Sequence, residues 1–513
     1  MHSYVYNTGK LFSRVAAAYA EKAALSYPAD ITVNFSELEV LSNKIAHYFI
    51  AQGLKKGDVV AIFNNKSPLG YSCMLAALKT GIIYTNLDLT SPFERIKKIL
   101  DRCMPKLICF DTHSDIEEKV KDTGIPTCDL YDNFHEQLNK YSAALPGNGD
   151  QVTSADAAYI MFTSGSTGFP KGAVITHANL LNFISWGQTQ FSISDKDVFT
   201  NANPIYFDNS VFDFYISLFS GALLVPLTND ITKDPFALMK AVAKAGCTVW
   251  FSVPSLLVYL MTTKALDATS LTSVKRFIFG GEGFPKSKLK KLYDMYQGSA
   301  QLFNVYGPTE CTCICSSHLI SDKDFEDMNN LATLGFLAPN FDYVLIGNDG
   351  GNFGELCLKG PNVGAGYYND KERTDKSFIQ NPHNDKYNEI VYRSGDLVEV
   401  DDIGHLHFKG RADNQIKHMG YRIELEEIES LLNTLKYVNE AAVIYERIND
   451  SMGQIIAFVA TSGAIEENIV MADLKNMVPE YMVPRRLYVL ETLPKNQNGK
   501  IDKVILKDFK KTV

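Results

Sequence analysis

The sequence predicts an α/β protein: a large N-terminal α/β domain with parallel-type sheets and a small β region, followed by a small α+β C-terminal domain. Three observations lead there. The chain has 513 residues, beyond the ~250–300 at which one hydrophobic core stops growing, so at least two domains are expected. Helix-like stretches alternate with short apolar runs over most of its length, the pattern of a largely parallel sheet. From about Gly335 to Lys409 that rhythm gives way to short strands and Gly-rich turns, after which a helix pattern resumes.

In chain order, helices are expected at Phe35–Gln52, Leu69–Leu78 and Pro92–Arg102, alternating with short apolar runs such as "DVVAIF" and "KLICF". "LPGNGDQVTSAD" reads as a linker into the strand "AAYIMF". A second α/β stretch has strands at "ALLVPL", "CTVWFSV", "VKRFIFG" and "AQLFNVYG". "GELCLKGPNVGAGYY" and "DDIGHLHFKG" form the small β region, and "ELEEIESLLNTL" with "VNEAAVIYE" supplies a helix and strand for the last domain. The division falls between residues 1–411 and 412–513.

Composition excludes several function classes. Hydrophobic residues make up 46% and charged residues 21%, ordinary for a globular protein. A net charge of −9 without a long basic run argues against nucleic acid as a partner. The N-terminal "MHSYVYNTGKLFSRV" lacks the basic-then-apolar pattern of a signal peptide, and no apolar run is long enough for a membrane span. Nine cysteines, an odd count, predict reduced thiols and a cytoplasmic location. Cys311, Cys313 and Cys315 alternate in "ECTCICSS" and would share one face of an extended strand. With no nearby His or second Cys pair to complete a zinc set, they are expected to be buried strand thiols.

The chemistry-bearing stretch is "FTSGSTGFPKG", Phe162–Gly172. Its Gly, Ser and Thr content with one Lys suits a loop whose N–H groups and hydroxyls hold phosphate oxygens. It is not a P-loop: counting from Gly165, Pro170 replaces the Gly before Lys171, and Gly172 replaces the Ser or Thr that would hold Mg²⁺. Downstream, "NVYGPTE" (Asn304–Glu310) follows an apolar strand, where an open parallel sheet places its ligands, and Glu310 is a candidate Mg²⁺ ligand. "YRSGD" ends in Asp396, able to accept from ribose hydroxyls. "GRADNQIKHMGYRIELEEIE" supplies Arg411, Asp413 and Lys417 at the domain boundary, and "NQNGKID" presents Lys500 on a turn.

In this order and combination the motifs resemble the adenylate-forming family: acyl-CoA synthetases, firefly luciferase and the amino-acid adenylation domains of nonribosomal peptide synthetases. The resemblance runs from "GLKKGDVVAIF" to "NGKID". It implies that the N-terminal domain binds ATP and a carboxylic acid and that the C-terminal domain is mobile. Attack of the carboxylate oxygen on the α-phosphorus then gives an acyl-AMP and pyrophosphate, chemistry that rests on positioning and electrostatics. The implied ATP site comprises Thr163, Ser164, Gly165, Ser166, Thr167, Gly168 and Lys171 on the loop, with Asn304, Val305, Tyr306, Gly307, Thr309, Asp396 and Arg411. Lys500 is the implied catalytic cation for adenylation. Asp413 matches a hinge position, and Lys417 is implied to face the site when a thiol attacks the acyl-AMP.

"IYFDNSVFDFYISLFSG" narrows the acid. Asp208 matches the carboxylate that pairs with the α-ammonium of an amino-acid substrate, and a buried carboxylate needs such a partner. A plain helix cap is the competing reading of Asp208. The other implied pocket positions are Asn209, Phe212, Ser252, Ile278, Gly280, Val305, Cys313 and Ile314. They carry no further charge, so the expected substrate is a small to medium uncharged amino acid. "VWFSVPS", "FIFGGEGFP" and "GRADNQIKHMGYRIELEEIE" resemble the D-alanine:D-alanyl carrier protein ligases, although Gly280 stands where those have Cys and is expected to widen the pocket. An acyl-CoA synthetase acting on a simple carboxylic acid is the alternative. The sequence continues 13 residues past Lys500 without a G-G-x-S site. The expected acceptor is therefore the phosphopantetheine thiol of a separate carrier protein, with Phe207 at a position that gates the pantetheine tunnel in relatives.

Overall fold

The computed structural model describes residues 4–509 apart from 166, 167, 330, 348–350, 450, 451 and 497–499. Two compact units emerge: one contains residues 1–89, 103–162 and 172–412, the other residues 90–102, 163–171 and 413–513.

The first unit carries two large sheets. Ala61 and Phe63 on Val59–Phe63 pair in parallel with Thr85 and Leu87 on one side and with Ile108 and Phe110 on the other. All five residues of Val59–Phe63 and of Ile83–Leu87 are buried, as expected where helices cover both faces of a parallel sheet. That six-stranded sheet ends in Ala157–Thr163 and Lys171–Thr176, the two strands joined by the Gly/Ser loop. The nine-stranded sheet is built around Val249–Ser252, Arg276–Gly280 and Gln301–Tyr306, paired in parallel with Ile278 between Phe251 and Phe303. Alternation along these strands sends Phe251, Ile278 and Val305 into one apolar cluster and Trp250, Phe277 and Phe279 into another on the opposite face.

Helix Phe35–Ala51 begins at Asn34, whose side chain accepts from the Glu37 N–H while Glu37 reaches back to the Asn34 N–H. Helix Pro68–Thr80 is buried along nearly its whole length. The predicted small β region is present as an antiparallel sheet of Asp342–Ile346, Phe353–Lys359, Phe378–Gln380, Ile390–Val400 and Leu406–Arg411.

One expectation fails. The segment carrying Cys311, Cys313 and Cys315 is not an extended strand: Thr309–Cys311 forms a 3₁₀ turn, Thr312 and Cys313 have φ of 62° and 72°, and the strand begins only at Ser316. The three thiols are buried, as are the other six, but they do not share a strand face. Among the described residues no helix is long and apolar enough to cross a membrane.

In the second unit, Val438–Asn449 and Met452–Thr461 run antiparallel, and Arg486–Leu490 joins the latter in parallel. Val443, Val459 and Leu487 face helices Leu425–Leu432 and Glu467–Lys475 through Ile428, Leu432, Val470 and Leu474. Ile444, Ile456 and Phe458 pack on the other face with Leu493 and Leu506. The hairpin Gln415–His418 and Tyr421–Glu424 precedes this layer, and helix Phe93–Cys103 contributes Arg95 and Lys98 to the unit.

Candidate active site

In the first unit the ends of parallel strands bring several candidates together. Strand Gln301–Tyr306 delivers Tyr306, whose hydroxyl donates to Asp396 Oδ2 at 2.6 Å. Asp396 Oδ1 accepts from Arg411 Nη1, also at 2.6 Å, across the register pair Asp396–Arg411 of two antiparallel strands. The carboxylate is 3% exposed, so its charge needs the guanidinium. Each oxygen keeps a second lone pair with which a ribose hydroxyl can bond. Burial, reinforced by the Asp396 charge, pushes the Tyr306 phenol well above its usual range, which fixes it as a donor. Asn304 is turned toward the Thr333 carbonyl, to which its amide donates at 2.8 Å.

Beyond Tyr306 the chain folds back tightly. A Cβ at Gly307 would lie 2.3 Å from the Cys313 carbonyl oxygen, so only glycine permits this approach. Thr309 then donates to Asp208 Oδ2 at 2.5 Å. Asp208 precedes the short helix Asn209–Val211 without a side-chain cap hydrogen bond, so it is not the helix cap weighed from the sequence. Its charge adds to burial in holding the Cys313 thiol well above the ordinary range. Glu310 is fully buried and its Oε1 accepts from Tyr367 at 2.6 Å. A carboxylate oriented in this way by a neighbouring hydroxyl fits a divalent-cation ligand.

The apolar wall is mostly assembled. Phe212, Ile278, Val305, Cys313 and Ile314 belong to one buried cluster, with Phe212 and Phe251 in edge-on contact at 5.0 Å. Asn209 is half-buried at the start of its helix. Phe207, also half-buried, stacks at a tilt on Tyr206 with ring centroids 5.3 Å apart. One expectation needs correction. Ser252 follows the alternation of its strand to the Trp250 side, where its hydroxyl accepts from the indole N–H at 2.8 Å, so it does not join the wall formed by Ile278 and Val305. At Gly280 a Cβ would lie 2.4 Å from the Val305 carbonyl oxygen and 2.7 Å from Val305 Cγ2, so the close approach of the two strands admits only glycine there.

In the second unit the Gly/Ser loop is held by acidic residues. Ser164 donates to the Arg422 carbonyl at 2.7 Å and accepts from the Glu424 N–H at 3.2 Å. The Gly165 N–H donates to Glu427 Oε2 at 3.0 Å, and Lys171 lies 3.3 Å from Glu424 Oε1. Glu427 is further bound by the Arg95 guanidinium, both side chains being buried. Gln415 donates to Glu424 at 2.5 Å, and Lys98 donates to the Gly168 carbonyl at 2.8 Å. Burial draws the Lys98 ammonium below the usual lysine range. A backbone N–H and a lysine on a Gly/Ser loop, both engaged by anionic oxygens, constitute an anion-binding loop in chemical terms. Ser166 and Thr167 lie outside the described residues.

Lys417 sits on strand Gln415–His418 opposite Arg422. Asp413 accepts from the Gln415 N–H at 3.2 Å. Lys500 is exposed; its N–H donates to the Asn496 side-chain oxygen at 3.1 Å, and its carbonyl accepts from the Asn496 N–H at 2.7 Å. Sequence reasoning assigned nothing to Arg95, Lys98, Glu424 or Glu427. The only available signal was the acidic amphipathic run "ELEEIE". It also passed over Asp213, fully buried five residues after Asp208, which accepts from the side chains of Asn201 and Asn203 and which burial pushes up to about 7.

Comparison with known proteins fits this arrangement. The AMP-binding enzyme family matches residues 12–368 and the AMP-binding enzyme C-terminal domain matches residues 427–500. A D-alanine--D-alanyl carrier protein ligase of Listeria monocytogenes is 31% identical over 504 residues, covering 95% of this chain and 96% of that one. Among solved structures, the fold is similar to an NRPS protein containing adenylation and PCP domains, with a TM-score of 0.83 and 23% identity over 98% of this chain and 84% of that one. It is also similar to the Vibrio cholerae adenylation domain AlmE in complex with glycyl-adenosine-5'-phosphate, with a TM-score of 0.79 and 23% identity over 100% and 99%.

The mixed α/β architecture, with its parallel sheets and smaller C-terminal domain, is that of adenylation-domain structures. The chain belongs to the AMP-binding, adenylate-forming enzyme family and is an ATP-dependent, AMP-forming ligase.

Proposed function

We propose that the protein activates a small uncharged amino acid as aminoacyl-AMP and passes it to the phosphopantetheine thiol of a separate carrier protein in the cytoplasm. The observation that carries this reading is Asp208, a carboxylate that accepts a hydrogen bond from Thr309 and whose charge adds to burial in raising the thiol of Cys313 on the apolar wall. An α-ammonium is the partner such a carboxylate needs, while the wall leaves the side chain nothing charged to meet. The name of the Listeria relative supports alanine, in its D form, as the first candidate.

In the proposed adenylation step a substrate carboxylate oxygen attacks the α-phosphorus and the bond to pyrophosphate breaks. Lys500 balances the charge at the reacting centre, the loop with Lys171 restrains the β and γ phosphates, and Asp396 with Arg411 and Tyr306 fixes the ribose. Glu310 would hold Mg²⁺, which neutralises phosphate charge when bound. In the second step the pantetheine sulfur attacks the acyl carbon and the bond to AMP breaks, with Lys417 facing the site in place of Lys500.

Pyrophosphate exchange into ATP, measured across L- and D-amino acids and several non-amino acids, tests the proposal. Exchange dependent on a small amino acid is expected, and Lys500→Ala should lower it at least ~100-fold, the scale of one transition-state charge contact. Exchange with only non-amino acids would transfer the assignment to an acyl-CoA synthetase and remove the role of Asp208.

A further inference from the structure

The small β region carries a cluster of side chains that adenylation does not use. Strand Ile390–Val400 turns at Asp401 into strand Leu406–Arg411, with Val400 opposite Leu406 and Glu399 opposite His407. The turn is built by Asp401 itself: its Oδ1 accepts from the N–H groups of Ile403 at 3.1 Å and His405 at 2.8 Å. That leaves Oδ2 facing the hairpin, where His407 Nε2 approaches to 2.9 Å and His405 Nδ1 to 3.5 Å. His405 immediately precedes the strand and His407 is its second residue, and both imidazoles approach the same Asp401 oxygen. Nδ1 or Nε2 of each ring and the Asp401 oxygen all lie within 4.8 Å of one another.

We infer that Asp401, His405 and His407 form a binding site for a borderline divalent transition metal of the Zn²⁺ class. Two imidazoles and one carboxylate are the donor set such ions prefer over Mg²⁺ or Ca²⁺, which favour all-oxygen sites. Donors around a tetrahedral ion at the usual ~2.0–2.1 Å bond lengths stand roughly 3.3 Å apart, close to the Asp401–His405 separation. The ligands are also held in place beforehand. Phe336 packs on the His405 ring at 4.3 Å, and His318, paired with Asp324 at 2.7 Å, meets the same ring edge-on at 5.3 Å. All three ligands are half-buried, so the open coordination position faces solvent, and the ion staples a hairpin whose other end carries Asp396 and Arg411.

The test uses untagged full-length protein, treated with chelator and titrated with Co²⁺ and then with Zn²⁺ against a chromophoric chelator. One equivalent of Co²⁺ should bind with visible d–d absorption and without a thiolate charge-transfer band, and Zn²⁺ should displace it. His407→Gln and Asp401→Asn should each lower Zn²⁺ affinity at least ~100-fold, the upper end of what loss of a supporting group costs. Without added Zn²⁺ or Co²⁺, and with Mg²⁺ supplied for the exchange assay, both variants should keep the parent circular dichroism and pyrophosphate exchange; Asp401→Asn retains an oxygen for the turn. Zn²⁺ should raise the melting temperature of the parent and of neither variant. Absence of saturable binding, binding unchanged in both variants, or a thiolate band would overturn the inference and leave the three residues as a hydrogen-bonded turn.

Discussion

Asp208 was legible as a residue but not in its surroundings. The sequence offers its position before a helix. The structure adds Thr309 as its hydrogen-bond donor, brought there by the tight return at Gly307. On the proposed reading, Asp208→Asn should raise the amino-acid KM in pyrophosphate exchange ~100-fold, about 3 kcal/mol, because the substrate ammonium would then be buried without a counter-charge. The ATP KM should change little. His177 yields a second expectation. Fully buried, its Nδ1 accepts from the Thr8 N–H at 3.1 Å and lies 2.8 Å from the Thr8 hydroxyl. Burial lowers its pKa from 6.5 to about 4. A histidine depressed on folding contributes stability present above pH 6.5 and lost as pH falls through about 4, since the unfolded chain binds the proton first. The loss should approach about 3 kcal/mol. Urea midpoints at pH 5 and 7 check it: His177→Asn, which keeps an acceptor for Thr8, should flatten the difference.

Strands and helices were read well where hydrophobic period decided them, and poorly where long-range contacts did. The runs at Val59–Phe63 and Gln301–Tyr306 are as continuous in burial as in sequence. The alternation of Cys311, Cys313 and Cys315 misled because Thr312 and Cys313 take left-handed backbone, set by the packing of Gly307 against them rather than by their own side chains. Ser252 was misplaced because a strand end gives no sign of which face the ligand occupies. The carboxylates on the Gly/Ser loop were invisible for a plainer reason: Gly165 and Glu427 are 262 residues apart. These carboxylates sit on the N–H and ammonium that phosphate oxygens would take. Glu424→Gln, which keeps the hydrogen bond from Gln415 geometrically possible while removing charge beside Lys171, should therefore tighten ATP binding by ~3–10-fold, since an internal competitor reduces apparent affinity by the fraction of loops it holds. Calorimetric titration of ATP measures this, and unchanged affinity would show that the carboxylates do not compete.

At the scale of the whole molecule, the chain makes its last passage between its compact units at Ala412 and Asp413. Ala412 is tied to the first unit by its N–H to the Gly395 carbonyl at 2.8 Å, whereas Asp413 bonds forward to Gln415. If the backbone at Asp413 must rotate between the two half-reactions, as proposed, Asp413→Pro should leave pyrophosphate exchange within ~3-fold and slow thioester formation on a carrier at least ~10-fold, because fixing φ acts on the conformational step alone. Single-turnover assays of the two steps would separate them.

The placement of the cysteines has a practical consequence. All nine are buried, and every one lies in the first unit. A thiol-specific reagent therefore has nothing to modify until that unit opens, and opening of the second unit contributes no signal. Labelling kinetics on the unaltered protein thus provide a native clock for one unit alone, and cysteines introduced on the other would supply an independent second hand.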